Sequence, residues 1–424
     1  MGEIPIYIFA FVALYAQVYL IIVIFEKWDT IFADVSNKKL KSYPNVVIAV
    51  PCWNESKTLR NTIKSLLDLN YPKDKLKIWV VDDGSKDNTW EEIQKAKAEL
   101  DTHNQVEIRT KENGGKHTVL NFVLEQNPNC DIFGCLDADS YVFPDTLHNM
   151  LLPFEDKEVM AVTPMLIVRK PTNLLQAIQT VEYNFGLFLK RVFAAINGIH
   201  VTPGPFSMMR REVFAKIGNY SPAHQTEDME IAFRMHRNHM RIESALGAYV
   251  ETSTPDTVYK LYRQRLRWSQ GFMGNSIDYK EMFLNPRFGS IAMVTIPLGW
   301  FGIMMVVYLA FYWITQLFTS LHNLLNNWQA LGLDMFTFSF SWTTLLNNFY
   351  LETGPLNLIV LPLVISGFIF ILTGHSMSKL ESRRFRYIIY YMLLWWLLVP
   401  FWFTRALYNT LTNTTVAWRH GNEQ

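Results

Sequence analysis

The stretch KIWVVDDGS (77–85) decides the fold. Its apolar run KIWVV (77–81) is short and rich in β-branched and aromatic residues, as a buried strand requires. Asp82, Asp83, Gly84 and Ser85 then end the run with two carboxylates and a turn. Polar groups delivered at a strand's carboxyl end are the layout of an open α/β sheet, where ligands bind in the crevice outside those ends. Working outward, VVIAV (46–50), VEIRT (106–110) and DIFGCL (131–136) read as further buried strands. SKTLRNTIKSLLDL, NTWEEIQKAKAEL and KHTVLNFVLEQ read as the helices between them. This alternation predicts a mostly parallel, doubly wound α/β domain over residues 45–255.

Both flanks of that domain are apolar. IPIYIFAFVALYAQVYLIIVIF (4–25) is about one bilayer thickness of helix. No basic stretch precedes it and no small-residue cleavage site follows it, so a retained membrane helix is expected over residues 1–30. Three more candidates follow within 289–424: residues 290–318, 355–373 and 387–407. Residues 322–354, interrupted by Asn323, Asn326, Asn327, Asn347 and Asn348, read either as an interface segment or as a fifth span. Lys27, Lys38, Lys39 and Lys41 follow the first helix, and Lys379, Arg383, Arg384 and Arg386 lie between the last two. Positive charge favours the cytoplasmic side, which predicts a multi-pass plasma-membrane protein with its α/β domain in the cytosol. Composition agrees: charged residues make up 18%, against about 25% in soluble domains. A balance of 39 Lys+Arg against 38 Asp+Glu leaves no basic footprint for nucleic acid. Cys52, Cys130 and Cys135 have no paired spacing, so buried reduced thiols are expected rather than disulfides or zinc ligands.

The polar motifs sit where the predicted strands end. Asp82 and Asp83 could accept hydrogen bonds from a nucleoside, or Ser85 or Asp87 could simply cap the next helix. Asp137 and Asp139 in CLDADS (135–140) suit a hard divalent ion such as Mg2+ or Mn2+ bridging a diphosphate, although Asp-x-Asp also occurs in ordinary loops. Glu227 and Asp228 open an amphipathic helix after Thr226. Capping and charge–dipole stabilisation would explain them, and so would Asp228 as general base on an acceptor hydroxyl. Lys116 follows a glycine pair in NGGK (113–116), either holding phosphate at a helix start or lying on the surface; the spacing is not that of a Walker loop. YKLYRQRLRWSQG (259–271) reads as an interfacial helix over 256–288 with basic anchors and a belt tryptophan, or as a site element in which Arg267 meets a pyrophosphate and Trp268 a sugar.

The order of these motifs carries more than any one of them. PCWNES (51–56), DDGS (82–85), NGGK (113–116), DADS (137–140), TED (226–228) and QRLRW (264–268) resemble the processive inverting glycosyltransferases of family 2, the group of hyaluronan, chitin, cellulose and poly-N-acetylglucosamine synthases. TPDTVYKLYRQRLRWSQG with TEDMEIAFRMHRN is most similar to the bacterial poly-N-acetylglucosamine synthases, while the tail TTVAWRHG is similar to that of hyaluronan synthases. The resemblance implies a GT-A, Rossmann-like catalytic domain on about four membrane helices. It implies Glu55, Asp82, Asp83, Lys116, Asp137, Gln264 and Arg267 as nucleotide-sugar contacts and Asp139 with Asp137 as metal ligands. Asp228 becomes the catalytic base beside Glu227, and Trp268 an acceptor contact. A UDP-sugar donor, a growing β-linked polysaccharide acceptor, Mg2+ or Mn2+ and the lipid bilayer are the expected partners, with room for an accessory membrane subunit. Two other readings stand beside it: a non-processive transferase loading one sugar onto a lipid, and a non-enzymatic transporter or scaffold.

Overall fold

The computed structural model describes residues 4–35, 38–331, 355–378 and 385–414. Helix α1 (Ile4–Glu26) leads through a helical turn, α2 (Trp28–Ile31), into the alternating segment. That segment runs β1 (Val46–Cys52), α3 (Leu59–Leu67), β2 (Leu76–Asp82), α4 (Thr89–Leu100), β3 (Val106–Thr110), α5 (Lys116–Gln126) and β4 (Ile132–Cys135). Then follow β5 (Ser140–Val142), α6 (Thr146–Leu151), β6 (Val159–Val168), α7 (Leu174–Ala195), β7 (Met208–Arg210), α8 (Arg211–Ile217), α9 (Glu227–Arg237) and β8 (Arg241–Thr252).

The strands form one 8-stranded sheet in the order β3-β2-β1-β4-β7-β6-β8-β5. The half that sequence periodicity predicts is parallel: β3 with β2, β2 with β1, and β1 with β4. The other half is mixed. β7 runs antiparallel to both neighbours and β5 antiparallel to β8, while β6 and β8 are parallel. Alternate side chains of β1 and β2 feed opposite cores. Ile48, Val50, Ile78 and Val80 pack on Leu59, Ile63, Leu66 and Ile93, whereas Val47, Ala49, Trp79 and Val81 pack on Val119, Leu120 and Val123. Burial on both faces explains why these strands read as continuous apolar runs. Register pairs Cys52 with Asp82, Asp82 with Thr110 and Ala49 with Cys135. The loops after β1, β2, β3 and β4 therefore crowd one edge of the sheet.

After β8 come α10 (Val258–Asp278), α11 (Ile296–Leu331), α12 (Pro355–Met377) and α13 (Phe385–Leu411). Among the described residues four helices are long and apolar enough to cross a membrane: Ile4–Glu26, Ile291–Ala330, Pro355–Met377 and Phe385–Leu411. Exposed Phe11, Tyr15, Trp313, Phe318, Leu361, Trp396 and Phe401 stud their outer surfaces. Residues 322–331 of the undecided segment continue α11, and 332–354 lie outside the described residues. So do Lys379, Arg383, Arg384 and the tail beyond Thr414. Leu261, Leu266, Phe272 and Met273 of α10 share one core with Ile303, Ile371, Ile388, Trp395 and Trp402, which ties the sheet domain to the apolar helices.

Candidate active site

The loop after β1 and the turn after β2 are laced together. Asn54 N donates to Ser85 Oγ at 2.9 Å, Lys86 N to Asn54 Oδ1 at 2.8 Å, and Glu55 N to Thr89 Oγ1 at 2.9 Å. Gly84 takes φ 70, and a Cβ there would lie 2.9 Å from Asn113 N. Glycine is thus the residue that lets DDGS close against the NGGK loop. Ser85 does not cap α4, but the Asp87 carboxylate takes its first N–H, as the capping reading expects. Asn88 is the N-cap residue, without a side-chain bond, and Asp87 Oδ1 accepts from Thr89 N at 3.1 Å.

Asp82 and Asp83 are buried, and their carboxylates hold backbone in place. Asp82 accepts from Ser85 N at 3.2 Å and Thr110 Oγ1 at 3.0 Å. Asp83 accepts from Lys111 Nζ at 2.8 Å, Gly114 N at 3.1 Å and Gly115 N at 2.8 Å. Gly115 is the N-cap of α5, so Asp83 grips the backbone that delivers Lys116.

Lys116 is the hub. Its ammonium bonds Asp137 and lies 3.7 Å from Glu227 Oε1. Burial disfavours that ammonium, but Asp137, together with Cys135, Glu227 and Asp228, more than offsets this and holds the group protonated well above the usual lysine range. Residues from the loop after β4, from α5 and from α9 therefore meet at one point. The GPFS loop closes over it: a Cβ on Gly204 would lie 2.9 Å from either carboxylate oxygen of Asp137.

Two carboxyls in this cluster are pushed towards neutrality. Burial, then Asp137 and Glu55, raises Asp139 from 3.8 to about 7. Burial, then Glu227, raises Asp228 from 3.8 to about 6, with Lys116 and Arg267 pulling the other way. Asp137 already has its cation in Lys116, whereas Asp139 is short of positive charge. Among the described residues no three His, Cys, Asp or Glu side chains gather as a metal cage. One or two carboxylates completed by phosphate oxygens and water suffice for Mg2+ or Mn2+, so Asp139 and Asp137 fit such an ion.

The helix of QRLRW supports the other wall. Arg267 Nη1 donates to Gln225 O at 2.8 Å, and Asn275 Nδ2 donates to Thr226 Oγ1 at 3.0 Å. Thr226 is the N-cap residue of α9 but makes no side-chain cap bond, so the capping account of Glu227 and Asp228 does not hold. His224 and Gln225 both take positive φ, 51 and 58. His224 Nε2 pairs with Asp278 Oδ2 at 2.7 Å. A loop bent this sharply before Glu227 persists because α10 clamps it. Gln264 Oε1 is buried and meets no donor among the described residues. Trp268 is half-buried, with the Arg265 guanidinium 4.3 Å from its ring centroid.

This geometry makes sense of what the chain is similar to. Residues 47–218 match the profile of Glycosyl transferase family 2. The chain carries a glycosyl transferase family 2 domain. Poly-beta-1,6-N-acetyl-D-glucosamine synthase of Staphylococcus aureus (strain COL) is 30% identical over 240 residues, 56% of this chain and 56% of that protein. Beta-monoglucosyldiacylglycerol synthase of Nostoc sp. is 28% identical over 250 residues, 59% of this chain and 53% of that protein. The chain thus spans about half the length of the curated relatives it matches. Mannosyltransferase PcManGT of Pyrobaculum calidifontis, solved with GDP-Man and Mn2+, shares the fold at TM-score 0.58 over 96% of this chain and 98% of that one, with 17% identity. The family 2 domain is a GT-A fold, as expected from sequence.

Two residues of the site escaped the sequence reading. Lys190 of α7 feels Asp228, and burial lowers it to about 8 while Asp228 pulls it up. Glu182 of α7 pairs with Arg265 at 2.7 Å. No motif surrounds either of them, and only the tertiary placement of α7 brings Lys190 and Glu182 to the site.

Proposed function

We propose that this protein is a membrane-integrated, inverting glycosyltransferase that polymerises N-acetylglucosamine from a UDP-linked donor into a β-linked polysaccharide and passes it across the plasma membrane. The convergence of Lys116, Asp137, Glu227 and Asp228 at the edge of the sheet carries the reading. The 30% identity to a poly-N-acetylglucosamine synthase supports the choice of sugar and of polymer.

Asp228 takes the proton from the acceptor hydroxyl, whose oxygen attacks the anomeric carbon from the face opposite the nucleotide. One displacement inverts the centre, so an α-linked donor gives a β-linked product. A neighbouring carboxylate and burial keep Asp228 basic enough for the task, and Lys116 with Arg267 keeps it ionised at neutral pH. Asp139 and Asp137 would hold Mg2+ or Mn2+, which when bound would neutralise charge on the departing diphosphate. Lys116 and Arg267 add fixed positive charge beside that position. Asp82 and Asp83 set the loop floor and Glu55 the wall on which the nucleoside rests, with Gln264 closing the site. Trp268 offers a ring for the acceptor sugar to stack on. The catalytic domain faces the cytosol, and residues 256–288 lie at the membrane surface.

Purified protein in detergent, given UDP-N-acetylglucosamine with Mg2+ or Mn2+, is expected to release UDP and build a high-mass product cut by a β-1,6-specific hexosaminidase. The similarity to a beta-monoglucosyldiacylglycerol synthase favours a second reading, transfer of one sugar to a lipid acceptor. A single labelled glycolipid in the same assay would select it, and absence of UDP release from any nucleotide sugar would reject both.

A further inference from the structure

Arg265 lies three residues before Trp268 on α10, which puts both side chains on one face of the helix. It is 6% exposed, deeper than a cation normally sits. Its Nη2 donates to Glu182 Oε2 at 2.7 Å, and its guanidinium lies over the Trp268 ring at 4.3 Å. The rings of Tyr183 on α7 and Trp395 on α13 flank it at 5.9 and 5.8 Å. Its Nε meets no acceptor among the described residues. The group is thus placed for the carboxylate and the ring, at the expense of one donor.

A leucine would fill this space without a buried cation but leave Glu182 unpaired, and a lysine would satisfy Glu182. Only a planar guanidinium bonds a carboxylate at its edge while stacking on an indole with its face. Arg267, two residues on, turns to the opposite side and meets Gln225 O. The two arginines of QRLRW therefore have separate tasks.

We propose that Arg265 is a positioning residue for Trp268: anchored by Glu182, it covers one face of the indole and fixes the ring so that the acceptor sugar stacks on the other. This rests on the reading of Trp268 as an acceptor contact. Arg265 acts through the ring and touches no substrate. Through Trp395 it also joins that ring to a membrane-crossing helix.

The test uses the full chain in lipid nanodiscs with UDP-N-acetylglucosamine as donor and a short β-1,6-linked N-acetylglucosamine oligomer as acceptor. Arg265→Lys is expected to raise the acceptor KM about tenfold while the donor KM moves less than about twofold, the scale of a desolvated cation–π contact. Glu182→Gln, which keeps shape and removes the anchoring charge, is expected to act in the same direction and serves alone if Arg265→Lys does not fold. The double variant Arg265→Lys/Trp268→Ala is expected to be no worse than Trp268→Ala. Equal rises in donor and acceptor KM, or losses that multiply in the double variant, would overturn the proposal. A Trp268→Ala variant with unchanged acceptor KM would overturn the acceptor reading itself. A raised KM in that variant with none in Arg265→Lys would overturn this inference alone.

Discussion

At the scale of single residues the site is defined by carboxyls that want a cation. Asp139 rises to about 7 because burial and the charges of Asp137 and Glu55 oppose its ionisation. A carboxyl whose folded value exceeds its unfolded one keeps a proton that the unfolded chain loses. Stability of the metal-free protein should therefore fall as pH rises from about 4 to about 7. Added Mn2+ should reverse that fall by binding only the folded form. Thermal unfolding across pH with and without Mn2+ checks both signs. Asp139→Asn is expected to flatten this slope, raise the metal-free Tm at pH 8 and abolish turnover; near-normal turnover would refute its ligand role. Asp228 gives a separate signature. The base must be ionised, so kcat/KM should be half its maximum near pH 6, reach its plateau above about pH 7 and approach a tenfold fall per unit below about pH 5. A profile flat down to pH 5 would contradict that role.

At the scale of elements, α10 sets where Asp228 stands. A Cβ on Gly271 would overlap the Thr226 side chain, and one on Gly274 would come within 2.8 Å of the His224 ring. Gly271→Ala should push Thr226, and with it Glu227 and Asp228, away from Lys116. The predicted cost is roughly a hundredfold in kcat, the scale of a misplacement of about 1 Å, with the helix content unchanged by circular dichroism. The sequence showed part of this. KIWVV, VVIAV and DIFGCL are strands, and the three helices between the strands fall within a few residues of their reading, because burial on both faces leaves an unbroken apolar run. β7 is three residues long and β8 carries polar and charged side chains, so neither has a periodic signal of its own. Asp137, Lys116, Glu227 and Asp228 were all legible and do meet. What was not legible is the structural work of Asp82, Asp83 and Thr226, whose hydrogen bonds go to backbone and side chains distant in sequence.

At the scale of the molecule, Arg191 of α7 ties α2, the turn that follows the first apolar helix, to the sheet. It is 4% exposed, donates to the carbonyls of Thr30 and Ser244, and pairs with Glu243 at 3.3 Å. Arg191→Ala would leave those buried acceptors and Glu243 short of donors. It should cost about 3 kcal/mol or more, read as a fall of roughly 6 °C or more in Tm. The apolar helix Ile291–Ala330 has 40 residues and extends about 60 Å, twice the hydrocarbon thickness of a bilayer.

The central claim is that Asp228 is the base of a sugar transfer at this one cluster. Rapid-quench transfer from UDP-N-acetylglucosamine by wild type and by Asp228→Asn, with donor affinity measured in parallel, tests it most directly. The account predicts a loss of about 10²–10⁴-fold in transfer with UDP-sugar affinity retained. Transfer by the asparagine variant at close to the wild-type rate would contradict it.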